Sequence, residues 1–130
     1  MSIQNQRRTV RLSMTTTTGI TAAVDLMGYR IAAMDVSSGW DAANRMTFRV
    51  TNDGTSTSPV YYDLYDDANN PYQIASGGAL TSTTGRSIIP SNALALALMA
   101  HRYVKIQSGP STALAVPATG VTIDLILVPM

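Results

Sequence analysis

The 130-residue sequence has no cysteine, no glutamate, one lysine (Lys105), one histidine (His101) and one tryptophan (Trp40). Each shortage removes a class of chemistry. Without cysteine there is no disulfide framework and no thiolate metal site, and the redox compartment is left open. Zinc sites need three or four nitrogen, sulfur or carboxylate ligands, which a lone histidine does not provide. A nucleophilic triad would need His101 beside a serine and an aspartate, but G-x-S-x-G is absent and Ser108-Gly109 reads as a turn. Neither GxxxxGK[ST] nor GxGxxG occurs; the nearest stretch, SGGALTSTTGR, lacks the lysine and reads as a surface loop. No apolar run approaches the roughly 18 residues that span a membrane. The N-terminal MSIQNQRRTVRLSM carries charge without the apolar core of a signal peptide. These exclusions argue against an enzyme and against a bound cofactor, and they suit a soluble protein that folds in a cytoplasm.

Charge is scarce too. Only 13% of residues are charged, about half the usual share. A net charge of +1 gives no long-range field that would steer the protein to nucleic acid. Arg7, Arg8 and Arg11 form a small basic cluster, best read as the solvated start of a strand. The polar surface must come from Thr, Ser, Asn and Asp, which suit strands and turns better than helices. That composition argues for an all-β fold, in one domain spanning residues 1–130. A surface this poor in charge also suits a subunit that buries area against neighbours.

Hydrophobic periodicity fills in the elements. RTVRLSM (8–14) alternates, with Val10 and Leu12 on one face, and two strands follow, broken near Gly28. RMTFRVTND (45–53) places Met46, Phe48 and Val50 inward and Thr47, Arg49 and Thr51 outward. Strands are expected over 60–65 and 72–76, joined by a polar tip at 66–71, with a short one at 85–90. SNALALALMA (91–100) has a serine N-cap candidate and strong helix formers, and predicts a short helical turn near 91–99. In RYVKIQSG (102–109), Arg102, Val104 and Ile106 face one way and Tyr103, Lys105 and Gln107 the other. GVTIDLILVP (120–129) sets Val121, Ile123, Leu125 and Leu127 on one face, its other face growing apolar toward the end. About eight strands result, the count of a sandwich.

YYDLYDDANNPY (61–72) holds four of the six tyrosines. Period two puts Tyr62 and Leu64 in the core and leaves Tyr61, Asp63 and Tyr65 as an outward stripe, fit to stack on a sugar or pack on protein. Asp66, Asp67, Asn69 and Asn70 offer oxygens to a hard cation, but only Asp67 and Asn69 match the D-x-[DN]-x-[DN]-G spacing. Asp and Asn also favour turns for local reasons, their side chains bonding the backbone two residues on. A plain turn leads, and calcium or a glycan stays open.

The motif order GYRIAAMDVSSGWDAANRMTFRVTNDGT, VYYDLYDDANN, GRSIIP, HRYVKIQSG resembles small β-sandwich structural proteins of tailed phages. The same outline is similar to discoidin-like, galactose-binding jelly rolls, with Trp40, Phe48, Tyr103, Val104 and Ile106 as core landmarks. The chain lacks the cysteine pair of the secreted discoidin domains. The phage resemblance implies an antiparallel β-sandwich of jelly-roll type and a head decoration or cement role. Such a protein bridges major-capsid subunits by area rather than chemistry, as a trimer or else a dimer, on virions assembled in the bacterial host cytoplasm. Residues 1–11 would then reach onto a neighbour as an extended arm through Arg7 and Arg8, with 113–120 as a second contact. The alternative is a carbohydrate-binding module of a tail or fibre complex, using Tyr61, Asp63, Tyr65 and the tip from Asp66 and Asp67 to residue 70.

Overall fold

The computed structural model describes residues 6–15, 17–40, 45–74, 85–109 and 120–130. The expected loops at 76–84 and 113–119, and the first five residues of the arm, lie outside these.

Among the described residues, eight strands and one helix follow the chain. They are β1 (Arg8–Met14), β2 (Val24–Asp25), β3 (Tyr29–Val36), β4 (Met46–Thr51), β5 (Tyr62–Asp63), β6 (Arg86–Ile88), α1 (Asn92–Met99), β7 (Tyr103–Ser108) and β8 (Val121–Pro129). Two four-stranded sheets form, in the orders β1-β8-β3-β6 and β2-β7-β4-β5, and every strand pairing is antiparallel. The fold is an all-β sandwich, as composition and periodicity require. Arg8 to Arg11 are paired within β1, so an arm that reaches outward is confined to the residues before Arg8.

The alternating apolar residues of each strand meet between the sheets. Leu12 and Met14 of β1, Ile123, Leu125 and Leu127 of β8, and Phe48, Val104 and Ile106 of the facing sheet are all buried. Trp40 and Phe48 are 2% and 1% exposed, and burial on that scale contributes on the order of 2–3 kcal/mol each. The inward residues of β3 change parity: Tyr29 and Ile31 face in, then Met34 and Val36. The register against β8 shifts between Ile31 and Ala33, and the bulge at Ala32 keeps both halves on the core.

α1 begins at Ser91, whose Oγ accepts from Leu94 N at 3.2 Å, and it buries Leu94 and Leu98 against β3. The expected helical turn is thus a full two-turn helix. His101 follows it, with Nδ1 3.0 Å from the Ala97 carbonyl oxygen, a local bond at the helix end.

Two placements differ from the periodic reading and one from what the resemblance implied. Thr47 and Thr51, expected outside, are buried, because chain from the 60–74 region and Gly109 cover the outer face of β4; Thr47 Oγ1 donates to the Gly109 carbonyl at 2.6 Å. Tyr62, expected in the core, is 65% exposed. Its register partner Val50 is the last core residue there, and β5 is the edge strand, so Tyr62 stands beyond the core margin. Tyr103, taken as a core landmark, sits half-buried on the outer face and packs over Gly54.

Candidate functional site

The outward stripe does not form one continuous surface. Asp63 lies across from Arg49, with Oδ1 3.4 Å from Arg49 Nε and 3.5 Å from Gln107 Nε2. Tyr65 bridges Pro71 and, with Asp63 and Gln107, lines only a narrow crevice. Gln107 is 1% exposed, and its Oε1 has no hydrogen-bond partner among the described residues.

The polar tip closes on itself. Asp66 Oδ1 accepts from Ala68 N and Asn70 N, both at 2.9 Å, while Asp66 N donates to the Asn70 carbonyl. Asn69 takes the left-handed conformation, φ 64°, which asparagine tolerates. Asp67 is exposed. Among the described residues no three His, Cys, Asp or Glu gather as a metal set would. The basic cluster is divided as well. The Arg8 guanidinium lies 5.1 Å from the Tyr29 ring centroid, Arg11 makes a bidentate pair with Asp124 at 2.8 and 2.9 Å, and Arg7 is exposed.

Tyr61 leads to a different site. With Tyr103 it lines a cleft of about 310 Å³ together with Ala23, Asp25, Asp53, Gly54, Ser56 and Pro59. The cleft lies on the outer side of the β2-β7-β4-β5 sheet. Tyr103 comes from β7, Asp25 from its neighbour β2, Ala23 from just before β2, and the loop between β4 and β5 supplies the rest. Each aromatic ring is steadied by a cation: Lys105 Nζ is 4.3 Å from the Tyr61 centroid and the Arg102 guanidinium 5.1 Å from that of Tyr103. Burial, then the neighbouring Tyr103, holds the Tyr61 phenol above its ordinary pKa.

Both carboxylates are fixed before any ligand arrives. Asp25 takes Arg102 Nε and Nη2, each at 3.3 Å, and Met27 N at 3.0 Å. The Arg102 hydrogen bond, most of all, holds its pKa below the carboxylate range. Asp53 Oδ1 accepts from Ser56 N and Thr55 N at 3.1 Å, and these two amides, Ser56 first, depress its pKa. The Asn52-Asp53-Gly54 sequence therefore turns through the aspartate side chain. Gly54 is not among the positive-φ glycines; a Cβ there would stand 2.9 Å from Tyr103 Oη. Its glycine makes room for the ring that walls the cleft.

Two other concavities flank the fold. One of about 430 Å³ adjoins the first and is lined by Thr51, Asn52, Asp53, Val60, Tyr62 and His101. The other, about 520 Å³ on the outside of the β1-β8-β3-β6 sheet, has Arg11, Asp35, Arg86 and Asp124 in its lining and no aromatic residue. Asp25, Asp53 and Tyr103 were not singled out as site residues from sequence. The N-D-G turn and the outward phase of Tyr103 were the available signals, but Asp25 joins them only through the β2–β7 pairing.

No family model and no curated protein matches the chain. Solved structures do, at low identity. The CBM32 module of AlyQ in complex with 4,5-unsaturated mannuronic acid is 13% identical, with 90% of this chain and 76% of that one covered and a TM-score of 0.36. The K3 adhesin domain of Lys-gingipain from Porphyromonas gingivalis is 15% identical, with 84% and 60% covered and a TM-score of 0.35. A CBM32 module produced by Clostridium perfringens, CpGH89CBM32-6, is 13% identical, with 94% and 93% covered and a TM-score of 0.33. Each is a likeness of sandwich outline.

Proposed function

We propose that the chain is a carbohydrate-binding β-sandwich module without chemistry of its own, with its sugar site in the Tyr61–Tyr103 cleft. One observation carries this reading: two tyrosines and two pre-oriented carboxylates converge on a cleft of about 310 Å³, within the size range of small-molecule sites. Aromatic faces suit the C–H faces of a pyranose, and fixed carboxylate oxygens suit its hydroxyls through charge-assisted hydrogen bonds. Because Arg102 and the 55–56 amides already hold the carboxylates, a ligand would spend little free energy ordering them. Both carboxylates have lowered pKa values, so neither is the raised-pKa acid that glycoside hydrolysis uses, which favours binding over turnover.

The test is an amide NMR titration of the whole chain with galactose, glucose and mannose. Shifts should centre on Ala23, Gly54, Tyr61 and Tyr103, and Tyr61→Ala or Asp53→Asn should weaken binding about tenfold with the fold intact. Shifts confined to the 66–70 tip, or none with any sugar, would refute the assignment.

Capsid decoration stands second. Its support is the scarce surface charge and the exposed apolar side chains Val60, Tyr62, Ile89 and Leu96. Co-sedimentation with purified capsids, lost on Tyr62→Ala, is what that reading requires.

A further inference from the structure

The cleft at Tyr61 and Tyr103 does not end at its own wall. Asp53 lines it and also lines the adjoining cleft of about 430 Å³ formed with Thr51, Asn52, Val60, Tyr62 and His101. We infer that the two clefts are successive subsites for a linear oligosaccharide, with Asp53 at the junction and Tyr62 as the platform of the second. The inference rests on the carbohydrate reading above and extends it from a single sugar to a chain.

The second cleft has the chemistry of an outer subsite. Tyr62 is 65% exposed and Val60 61%, which leaves an aromatic and an aliphatic surface open to a sugar ring. Tyr62 stands there because β5 is a two-residue edge strand that carries it past the core. It is not among the residues that hold the sandwich together, so nothing in the packing demands a large aromatic side chain at this position. The polar side is equally well prepared. Asn52 Oδ1 is fixed by Arg102 N at 2.7 Å, which turns its amide nitrogen toward other acceptors. The His101 ring is held at Nδ1 beside the Ala97 carbonyl oxygen, which leaves Nε2 for a hydroxyl. Asp53 spends all its hydrogen bonds among the described residues on Oδ1; Oδ2 remains for the ligand at the boundary of the two clefts. The first site offers two rings, Tyr61 and Tyr103, and the second offers one, Tyr62.

The experiment compares galactose, glucose and mannose, each against its β-1,4-linked di- and trisaccharide, by calorimetry and amide NMR on the intact chain. For the sugar that binds, affinity should rise about tenfold from mono- to disaccharide, equivalent to about 1.4 kcal/mol. Tyr62→Ala should remove that gain and leave the monosaccharide affinity unchanged, and Val60→Ser should reduce the gain. Both positions are exposed, and unfolding curves of the variants check that the fold is kept. If the monosaccharide binds at Tyr61 and lengthening brings no gain, or the gain survives Tyr62→Ala, the second subsite is wrong and the single-sugar site stands. If no sugar shifts the Tyr61 and Tyr103 amides, both readings fall together.

Discussion

Two glycines separate what the fold needs from what the cleft needs. At Gly85 the backbone has φ +84° and a Cβ would lie 2.7 Å from the Val36 carbonyl oxygen. Neither can yield without moving the β3–β6 edge, so Gly85→Ala should cost on the order of 1–3 kcal/mol in chemical denaturation. At Gly54 the obstacle is the far end of the Tyr103 side chain, which can tilt. Gly54→Ala should therefore cost less than about 1 kcal/mol while weakening sugar binding severalfold, because the displaced ring is a wall of the site. A variant that loses stability but binds normally would contradict that assignment. The ionised residues give a second prediction. Asp25, Asp53 and Asp124 all have depressed pKa values, from Arg102, the Ser56 and Thr55 amides, and Arg11 respectively. In the unfolded chain they take up protons first, so their stabilisation is complete above the ordinary carboxylate range and is lost as pH falls through their folded values. The denaturation midpoint should hold steady from neutrality to about pH 5 and decline toward pH 3. Asp53→Asn should flatten that decline.

Strands with strict alternation on both sides were legible from sequence: β1, β4, β7 and β8 appear where the period put them, and the broken pair around Gly28 became β2 and β3. The helix was legible through Ser91. What period two could not reveal is what lies over a sheet. Thr47 and Thr51 look like solvent-facing residues until chain distant in sequence crosses them, and Tyr62 looks like core until the sheet runs out beside it. The site suffered in the same way. Tyr61 was singled out, but its partners Tyr103, Asp25 and Asp53 come from β7, β2 and a turn, and only the strand order brings them together. Local pattern did hold one signal that went unread, the parity change in β3 between Ile31 and Met34. The bulge at Ala32 makes a sharp prediction at this scale. Deleting Ala32 would restore regular pairing and set Ile31 and Met34 two apart, so Met34 and Val36 would stay inward and Asp35 outward. Cooperative unfolding should therefore survive the deletion, and its loss in a denaturation curve would contradict the bulge.

At the scale of the molecule, both outer faces of the sandwich carry ion pairs among the described residues. The exposed apolar residues Met27, Val60, Tyr62, Tyr65, Ile89, Leu96 and Met130 come from separate turns, edges and the helix surface. On the proposed reading, the ligand contacts fall in the clefts that share Asp53. The strand order has a further consequence for how the molecule is made. β8 lies between β1 and β3, so a strand late in chain order joins two strands made much earlier. Until then one sheet has a slot in its middle, with two unpaired edges facing each other, and most of its long-range pairing must wait. A chain ending at residue 119 should stay unfolded and prone to aggregate. Supplying residues 120–130 as a separate peptide should fill the slot, and recovery of strand circular dichroism with saturable peptide uptake would measure it. Closing the sheet, on this account, waits on a strand made long after the two it joins.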